Sequence, residues 1–523
     1  MRIIEAEPGT SLLAVLQSAG FYLPAACGGR GNCGKCAVKT SEGRLPPSVA
    51  DSRLFSPAEL DNGWRLACTA FPCGDLVVEI PETGEGSHAG DFFCVNNFTP
   101  DDRLHYRPAD AKLPNAAEPP EYGIAVDIGT TTLGFALITL NNGYIAARFA
   151  ELNRQRAYGG DVISRIHAAN NGGIELLSQC IRRQLSDCIT ALCAGAGVAP
   201  CEIKKIAIAG NTVMLHLLLG LSCRSLGTAP FTPVTLEMLA RNCRGLLGEP
   251  VPEGLDCEAV ILPGISTYVG ADITAGIFFT GLHRREKTAA LVDIGTNGEM
   301  VLVHKDRIFC TATAAGPAFE GGNILWGTGG VPGAITRVQF LSGEAVLAVI
   351  GDRPPLGICG SGVVSLAYQG LKHGLILPSG RFSEQIPPEG IFLAKTPDGR
   401  DIVFCQKDVR ELQLAKSAIR TGLDFLLEQA GLDYGDIDNL YIAGGFGFNL
   451  DLESAAGIGL IPSALTGRVT FTGNSALGGA VRCLLESGGE EILRDIAKRA
   501  TELRLPGDAR FNERFVQNLD FDR

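Results

Sequence analysis

The sequence predicts a multidomain protein in which a small α+β domain precedes a larger α/β body. Three observations lead to this prediction. The 523 residues exceed what a single hydrophobic core supports. Cysteines and glycines crowd together near the N-terminus, and two later parts of the chain repeat each other. Because 46% of the residues are hydrophobic, each part can bury a core of its own.

Charge and hydropathy argue against several classes of protein. The net charge of −12 disfavours a general nucleic-acid-binding protein, which needs a basic face. The N-terminus, "MRIIEAEPGT", carries acids where a secretory signal has basic and then apolar residues. The most apolar window, residues 206–221, is interrupted by Asn211 and His216 and is too short to span a bilayer. We therefore expect no membrane segment and a cytoplasmic location, in which the 17 cysteines are thiols or metal ligands.

Three cysteines lie in the stretch "AACGGRGNCGKCAV", residues 25–38. Cys27, Cys33 and Cys36 have the spacing C-x5-C-x2-C, and Cys68 follows in "WRLACTA". Plant-type 2Fe–2S sites have C-x4-C-x2-C and a distant fourth cysteine, so the first gap is one residue longer here. Glycines suit a loop around a cluster because they adopt positive φ and allow close backbone approach. The pattern predicts a 2Fe–2S cluster held by these four cysteines.

A structural zinc site and unligated thiols are the alternatives for this segment. Zinc sites of the knuckle type usually combine two C-x2-C pairs, and this segment has one, which favours the iron–sulfur cluster. Cys73 lies five residues after Cys68 and is the main rival for the fourth ligand position.

The segments around the cysteines predict a helix and a small sheet. Residues 11–20 have helical apolar spacing, "CAVKTSEG" has the pattern of a strand and a turn, and residues 75–81 have that of a strand. This arrangement resembles the small β-grasp ferredoxins. The segment "LACTA" is similar to the sequence around the fourth cysteine of those proteins, which favours Cys68 as the fourth ligand. Such domains normally begin with a strand before the first helix. The chain opens with "MRIIEAEPGTSLL", so we expect that strand to be missing.

Residues 84–121 are rich in Pro, Gly, Ala and charged residues and have little periodicity, which is typical of a linker. We therefore divide the chain into a ferredoxin-like domain, the linker and two α/β subdomains. The predicted boundaries are 1–83, 84–121, 122–286 and 287–523.

The α/β part contains an internal repeat. Residues 123–151 match residues 289–314, so that Asp127 is equivalent to Asp293. Each block predicts a strand, a tight Gly-Thr turn and a hairpin, and a helix and a further strand complete the order β-β-β-α-β. This order predicts two related subdomains that face each other across a cleft. The long helices are predicted over residues 174–194 and 407–430, before the strands of "KKIAIAGNTVM" and "DNLYIAGGFGF".

The two turns have the chemistry of a phosphate site. Their backbone N–H groups and hydroxyls can donate to phosphate oxygens. Asp127 and Asp293 would repel phosphate directly, so we expect them to act through Mg²⁺ and its bound waters. Gly444 and Gly445 leave space for a ribose or an adenine. The candidate phosphate-binding residues are Gly129, Thr130, Thr131, Thr132, Gly295, Thr296, Asn297 and Gly298.

The paired "DIGT" turns and the late "AGGFG" resemble the superfamily of acetate and sugar kinases, heat-shock chaperones and actin. The resemblance implies two ribonuclease-H-like α/β subdomains around a nucleotide cleft, as in the actin-like ATPases, with ATP and Mg²⁺ bound between the turns. Asp272 in "VGADITAG" is either a catalytic base, or a group that orients Mg²⁺-bound water, or a helix N-cap. Gln413, Lys416 and Arg420 share one helical face, which either reaches the nucleotide or is solvated.

Together with the N-terminal cysteines, further segments extend the resemblance to one branch of this superfamily, the ATP-dependent reductive activators of corrinoid-dependent methyltransferases. They include "YGGDVISRI", "AGPAFEGG", "GICGSG" and "QLAKSAIRTG". The segment "ILWGTGGVPGAI" departs from the usual sequence of that region. The resemblance implies that the chain passes one electron from its 2Fe–2S cluster to the Co(II) of a corrinoid protein. This step regenerates Co(I) for methyl transfer, and ATP makes it favourable. The resemblance also implies a low-potential electron donor, either a ferredoxin or a flavodoxin, and allows a homodimer.

Three other functions compete with this one. An activator of 2-hydroxyacyl-CoA dehydratases has a similar ATPase fold, but holds a 4Fe–4S cluster between two subunits through cysteines of the ATPase domain. Here the cysteines beyond residue 122 form no C-x2-C pair. A small-molecule kinase would have no use for a ferredoxin-like module. A non-enzymatic electron carrier with a degenerate ATPase body would not need two intact turns.

Overall fold

The computed structural model describes two stretches of the chain. The first is residues 9–80, except positions 20, 22, 24, 26–28, 30, 33, 44 and 73. The second is residues 120–521, except 342–343, 446–449 and 506–507. Cys27, Cys33, Cys73, the expected absence of an opening strand and nearly all of the predicted linker therefore lie outside the described residues. Within these two stretches, no helix is both long enough and apolar enough to cross a bilayer.

The N-terminal domain contains a small antiparallel sheet, against which its first helix packs, and two shorter helices. Ser11 caps the first helix by accepting a hydrogen bond from the N–H of Ala14, and Leu12 and Leu16 face a core that contains Val38 and Leu66. The sheet order is β2-β1-β3. The predicted helix and the two predicted strands are confirmed. The elements are α1 Leu12–Ser18, β1 Ala37–Glu42, α2 Asp51–Leu54, α3 Pro57–Asp61, β2 Trp64–Leu66 and β3 Val77–Glu79.

The first half of the α/β body is built on a six-stranded sheet. Its strand order is β6-β5-β4-β7-β9-β8, in which β4 pairs antiparallel with β5 and parallel with β7. The elements are β4 Tyr122–Ile128, β5 Thr132–Thr139, β6 Ile145–Leu152, α4 Val162–Ala168, α5 Ile174–Ala196, β7 Ile203–Gly210, α6 Thr212–Leu219, β8 Leu239–Asn242, α7 Cys243–Leu247, β9 Glu258–Ile261 and α8 Ala271–Thr280.

The second half has a six-stranded sheet of its own and two smaller sheets, which lie within residues 334–358 and 391–404. The strand order of the six-stranded sheet is β19-β18-β10-β11-β12-β20. The elements are β10 Ala289–Ile294, β11 Gly298–His304, β12 Arg307–Thr313, β13 Ala334–Leu341, β14 Glu344–Val349, β15 Gly357–Ile358, α9 Gly360–Lys372, β16 Ile391–Lys395, β17 Asp401–Phe404, α10 Gln406–Ala430, β18 Asn439–Ala443, α11 Leu452–Gly457, β19 Val469–Gly473, α12 Ser475–Leu485, α13 Gly489–Arg499, β20 Ala500–Glu502 and α14 Ala509–Gln517.

The two six-stranded sheets confirm the predicted repeat. In each half, two antiparallel hairpins are followed by a long helix and by a strand that pairs parallel with the first, β7 with β4 and β18 with β10. A helical crossover is what a parallel pairing of this kind requires. The predicted long helices are α5 and α10 and extend beyond their predicted limits by at most two residues.

Helix α12 joins the two halves, because it follows a strand of the second sheet and packs on the first half. A Cβ atom on Gly479 would lie 2.2 Å from the carbonyl oxygen of Ala275 in α8, so glycine is required for this close approach. Lys205 of β7 and Glu490 of α13 add an ion pair with an Nζ–Oε1 distance of 2.6 Å. The end of the chain therefore helps to fix the first sheet.

The polar face of α10 is covered by the C-terminal segment. Gln413 donates to the carbonyl oxygen of Leu519 at 2.9 Å, and Lys416 donates to that of Asp520 at 2.6 Å. Both side chains are buried, so the expectation of a solvated face is wrong for them. Their hydrogen bonds dock the segment that follows α14.

Candidate functional site

Two equivalent turns lie at the carboxyl ends of β4 and β10. We call residues 129–132 the first turn and residues 295–298 the second turn. In the first turn the N–H of Gly129 donates to the carbonyl oxygen of Thr132, and in the second the N–H of Gly295 donates to that of Asn297, each at 3.0 Å. A Cβ atom on Gly129 would lie 2.6 Å from the Thr132 oxygen, so this position requires glycine. The predicted phosphate-binding residues thus occupy two tight turns at equivalent strand ends, and the closing hydrogen bond joins residues three apart in the first turn and two apart in the second.

The predicted glycines Gly444 and Gly445 lie beside the second turn. Strand β18 places Ala443 opposite Asp293, and Gly444 follows with φ of 94°. A Cβ atom on Gly444 would lie 2.4 Å from the carbonyl oxygen of Ile294. A Cβ atom on Gly445 would have no neighbour within 4 Å. Gly444 is therefore packed against the strand end, and Gly445 borders open space.

The three candidate aspartates lie close to one another in the cleft. Each of Asp127 and Asp293 is the second-last residue of its strand, directly before a turn. Asp127 Oδ2 accepts a hydrogen bond from Asn474 Nδ2 at 2.7 Å. Asp272 lies in the first turn of α8 and accepts from the N–H of Ile273 at 2.9 Å. The alternative that Asp272 is an N-cap is wrong, because Gly270 occupies the cap position.

Burial raises the pKa of all three carboxylates, and repulsion from neighbouring carboxylates adds to the shift of Asp127 and Asp293. Burial raises the pKa of Asp127 to about 7, although the Asn474 hydrogen bond opposes the shift, and Asp272 adds to it. Burial raises the pKa of Asp293 to about 8, with further contributions from Asp272, Asp127 and Glu320. Burial also raises the pKa of Asp272 to about 6, against backbone N–H groups that lower it. Repulsion among buried carboxylates is relieved by a bound cation, so the cluster fits Mg²⁺.

A separate question is whether protein side chains alone could coordinate a metal ion directly. Among the residues that the structure describes, no three His, Cys, Asp or Glu side chains are grouped closely enough to hold a metal ion directly.

Four further polar residues of the cleft were not predicted from the sequence. Asn211 Nδ2 donates to Thr130 Oγ1 at 3.0 Å, as Asn474 does to Asp127. Asn153 binds the backbone of the first turn, and Glu320 binds a threonine hydroxyl of each turn. A signal for the first two exists in the repeat. Asn211 and Asn474 stand in "GNT" and "GNS", and each caps the helix that follows a parallel strand.

The described part of the cysteine loop fits a metal cluster. Cys36 and Cys68 are both buried, and the N–H of Ala67 donates to the carbonyl oxygen of Cys36 at 2.9 Å, which brings the two segments together. Gly29 has φ of 81°, and a Cβ atom on it would lie 3.9 Å from Cys68 Cβ. Gly29, with its positive φ, thus lies beside a buried cysteine, an arrangement that is compatible with a 2Fe–2S site.

The N-terminal domain is hydrogen-bonded to the α/β body. Gln17 Nε2 donates to the carbonyl oxygen of Ala157 at 2.7 Å, and the N–H of Ala25 donates to that of Arg156 at 3.3 Å. We call residues 153–157 the connecting segment. It consists of Asn153 and the 3₁₀ helix Arg154–Ala157, which Asn153 caps.

The other end of the connecting segment holds the first turn. Asn153 Nδ2 donates to the carbonyl oxygen of Gly129 and its N–H to that of Thr131, both at 2.8 Å. The guanidinium of Arg165, which is fully buried, donates to the carbonyl oxygen of Thr130 at 2.5 Å. Three consecutive carbonyl groups of the first turn are therefore fixed by the connecting segment and Arg165.

The raised pKa of Asp293 predicts a pH-dependent effect of the substitution Asp293→Asn. The ordinary pKa of an aspartate is 3.8, and the folded value is about 8, so the folded state binds more protons between these values. As pH rises from 4 to 8, deprotonation of Asp293 lowers the free energy of unfolding of the wild-type chain. The variant lacks this titrating group and does not lose stability in this way. We expect the stability of Asp293→Asn relative to wild type to increase over this range. Denaturant unfolding with EDTA and without nucleotide measures it. The exposed Asp256→Asn is the control, and a pH-independent difference for Asp293→Asn would contradict the assignment.

The choice of the fourth cysteine ligand gives a second prediction. We expect anaerobically prepared Cys68→Ser to lose most of its iron and its visible absorption, because a buried thiolate next to Cys36 is removed. Cys73→Ser should retain both, as should Cys201→Ser, in which an exposed cysteine is replaced. Loss of iron from Cys73→Ser but not from Cys68→Ser would assign the position to Cys73.

Comparisons with family models cover nearly all of the chain. Residues 2–73 match a 2Fe-2S iron-sulfur cluster binding domain. Residues 122–285 match the RACo middle region, and residues 287–523 match the C-terminal domain of RACo, an ASKHA domain.

Curated relatives and a solved structure agree with these matches. The chain is 31% identical to the corrinoid activation enzyme RamQ of Eubacterium limosum, over 97% of this chain and 95% of that protein. It is 27% identical to the [Co(II) methylated amine-specific corrinoid protein] reductase of Methanosarcina barkeri, over 76% of this chain and 77% of that protein. The solved structure of a reductive activator for corrinoid, iron-sulfur protein is 28% identical, with a TM-score of 0.71, and the similarity covers 99% of this chain and 96% of that one.

These relatives favour corrinoid activation over activation of a 2-hydroxyacyl-CoA dehydratase or a small-molecule kinase. Because the similarity to the Eubacterium limosum protein spans almost the full length of both chains, the chain belongs to the family of corrinoid activation enzymes.

Proposed function

We propose that this chain uses ATP to reduce the Co(II) of a corrinoid protein to Co(I), the state that accepts a methyl group. The main support for this proposal is that the connecting segment forms hydrogen bonds with both the first turn and the N-terminal domain. In addition, the chain is similar to corrinoid activators over its length. A kinase would need only the cleft, and a ferredoxin only the cysteines. Their direct connection supports a function that uses both.

The proposed roles of the site residues follow the sequence prediction. Cys27, Cys33, Cys36 and Cys68 hold the 2Fe–2S cluster, which supplies a one-electron donor when bound. Asp127, Asp293 and Asp272 hold the waters of Mg²⁺, since their mutual repulsion favours a cation. The two turns donate to ATP phosphates, and Gly444 and Gly445 border the nucleoside. The proposed domain boundaries remain 1–83, 84–121, 122–286 and 287–523.

ATP is needed because Co(II) is difficult to reduce with a ferredoxin-type donor. Nucleotide binding helps only if it favours one state of the complex over another. In this chain the first turn is connected to the N-terminal domain by hydrogen bonds of Asn153, Arg156 and Ala157, so a movement of the turn can be transmitted to that domain. We propose that ATP binding changes the position of the first turn and thereby orients the N-terminal domain toward the corrinoid protein.

The electron donor and the cellular location are part of the same proposal. A low-potential ferredoxin or flavodoxin resupplies the electron, because each turnover consumes one. Such donors and unoxidised cysteines belong to the cytoplasm.

An anaerobic cobalt spectrum tests the proposed function. Reduced holoprotein, a corrinoid protein in the Co(II) state and Mg-ATP are expected to give the Co(I) spectrum, which should not form without nucleotide. In Asp127→Asn the loss of a Mg²⁺-orienting carboxylate should lower ATP hydrolysis and the rate of Co(I) formation by about 10- to 100-fold.

The exposed Asp398→Asn is the matched control for this variant. Co(I) formation that is unaffected by omission of ATP, or equal in Asp127→Asn and wild type with the same weak reductant, would contradict ATP coupling.

A further inference from the structure

Glu320 connects the two turns across the cleft. Its Oε2 atom accepts a hydrogen bond from Thr131 Oγ1 at 3.0 Å and another from Thr296 Oγ1 at 2.7 Å. Thr131 belongs to the first turn and Thr296 to the second. A carboxylate oxygen therefore occupies the point on which hydroxyls from both halves of the body converge.

The backbone that carries Glu320 is held firmly. Glu320 ends the short 3₁₀ turn Pro317–Glu320, between Gly316 and Gly321, which have φ of 77° and 79°. A Cβ atom on Gly321 would lie 2.4 Å from the carbonyl oxygen of Thr328, so no other residue fits there. Within the turn, Phe319 is buried, whereas Glu320 is half-buried. The main chain is thus fixed while the carboxylate faces the cleft.

The contacts of Glu320 locate it relative to the terminal phosphate of ATP. A carboxylate oxygen and a phosphate oxygen are both anionic acceptors, and threonine hydroxyls bind either. Because two anions cannot share these hydroxyls, a phosphate that binds both turns displaces the carboxylate from them. The fixed backbone keeps Glu320 next to the phosphate. An uncharged water fits between the two, since its hydrogen can point to the carboxylate and its oxygen to phosphorus.

The neighbouring acids are less suited to this role. Asp127 is held by Asn474, and Asp272 is held by the N–H of Ile273. Asp293, which lies near Glu320, is assigned to the waters of Mg²⁺ in the proposed function. Glu299 is buried within β11. Among the described residues, no lysine or arginine forms an ion pair with Glu320, whose Oε2 atom contacts only the two threonine hydroxyls.

We propose that Glu320 is the general base of ATP hydrolysis. It takes a proton from the attacking water as the water oxygen forms a bond to the terminal phosphorus. The bond from that phosphorus to the bridging oxygen breaks, and its electron pair leaves with ADP. The proton returns to the phosphate product or to solvent. This inference rests on the proposed function only in that the chain hydrolyses ATP.

The substitution Glu320→Gln tests the proposal, because it keeps the size and the acceptor oxygen but removes the base. Phosphate release by the full-length holoprotein with Mg-ATP should fall about 100-fold or more, the usual contribution of a positioned base. The affinity for a non-hydrolysable ATP analogue should stay within about threefold of wild type, because binding and chemistry are then separated. Glu344→Gln, an exposed position on β14, is the matched control. Partial recovery of hydrolysis in Glu320→Ala on addition of formate would support the proposal further.

Two results would overturn the assignment. One is a Glu320→Gln rate within about fivefold of wild type, which is less than a base contributes. The other is a loss of analogue affinity in proportion to the rate, with no response of Glu320→Ala to formate, which would give Glu320 a purely structural role. If the wild-type chain hydrolyses no ATP, the proposed function fails as well. If wild type and Glu320→Gln hydrolyse ATP equally, only the role of Glu320 fails.

Discussion

The hydrogen bonds of the connecting segment are the constraint on which the rest of this protein depends. Its first residue, Asn153, binds two carbonyl groups of the first turn, and its last two carbonyl groups accept from Ala25 and Gln17. A 3₁₀ helix rises about 2 Å per residue, so the two sets of contacts are separated by less than about 10 Å. A large movement of the first turn would therefore have to break the hydrogen bonds of Asn153 or shift the contacts of the connecting segment with the N-terminal domain. This short path gives a physical basis for the presence of both domains in one chain.

The electrostatics of the cleft explain why the path would respond to nucleotide. Three carboxylates with raised pKa values line a site into which two turns project, and a fourth, Glu320, holds the turns together. In the proposed function, Mg²⁺ would relieve the repulsion among the aspartates, and phosphate would replace Glu320 on the hydroxyls. The second change acts directly on Thr131, whose carbonyl group is bound by Asn153 of the connecting segment. Helix α12, with Asn474 at its start, adds a second contact from the other half of the body to Asp127.

Much of the fold could be predicted from the sequence because it depends on local patterns. The two "DIGT" turns and their hairpins follow from alternating apolar residues and glycine. The parallel pairings confirm that Asp127 and Asp293 are equivalent, because each aspartate lies opposite an alanine of the crossover strand. The contacts that build the cleft are different in kind. Glu320 is 189 residues from Thr131, and Gln17 is 140 residues from Ala157. No periodicity in the sequence encodes such pairs. Gln413 and Lys416 illustrate the same limit, since a polar helical face is buried here by a segment about 100 residues away.

Hydrogen–deuterium exchange on the holoprotein tests the link between the two domains most directly. A non-hydrolysable ATP analogue with Mg²⁺ should slow exchange in the turns and should also change exchange in the peptide that contains Gln17 and Ala25. In Gln17→Ala the change in the N-terminal peptide should be lost while the protection of the turns remains. If nucleotide protects the turns of the wild-type chain and exchange around Gln17 and Ala25 does not change, the cleft and the cysteine domain are not coupled through this segment.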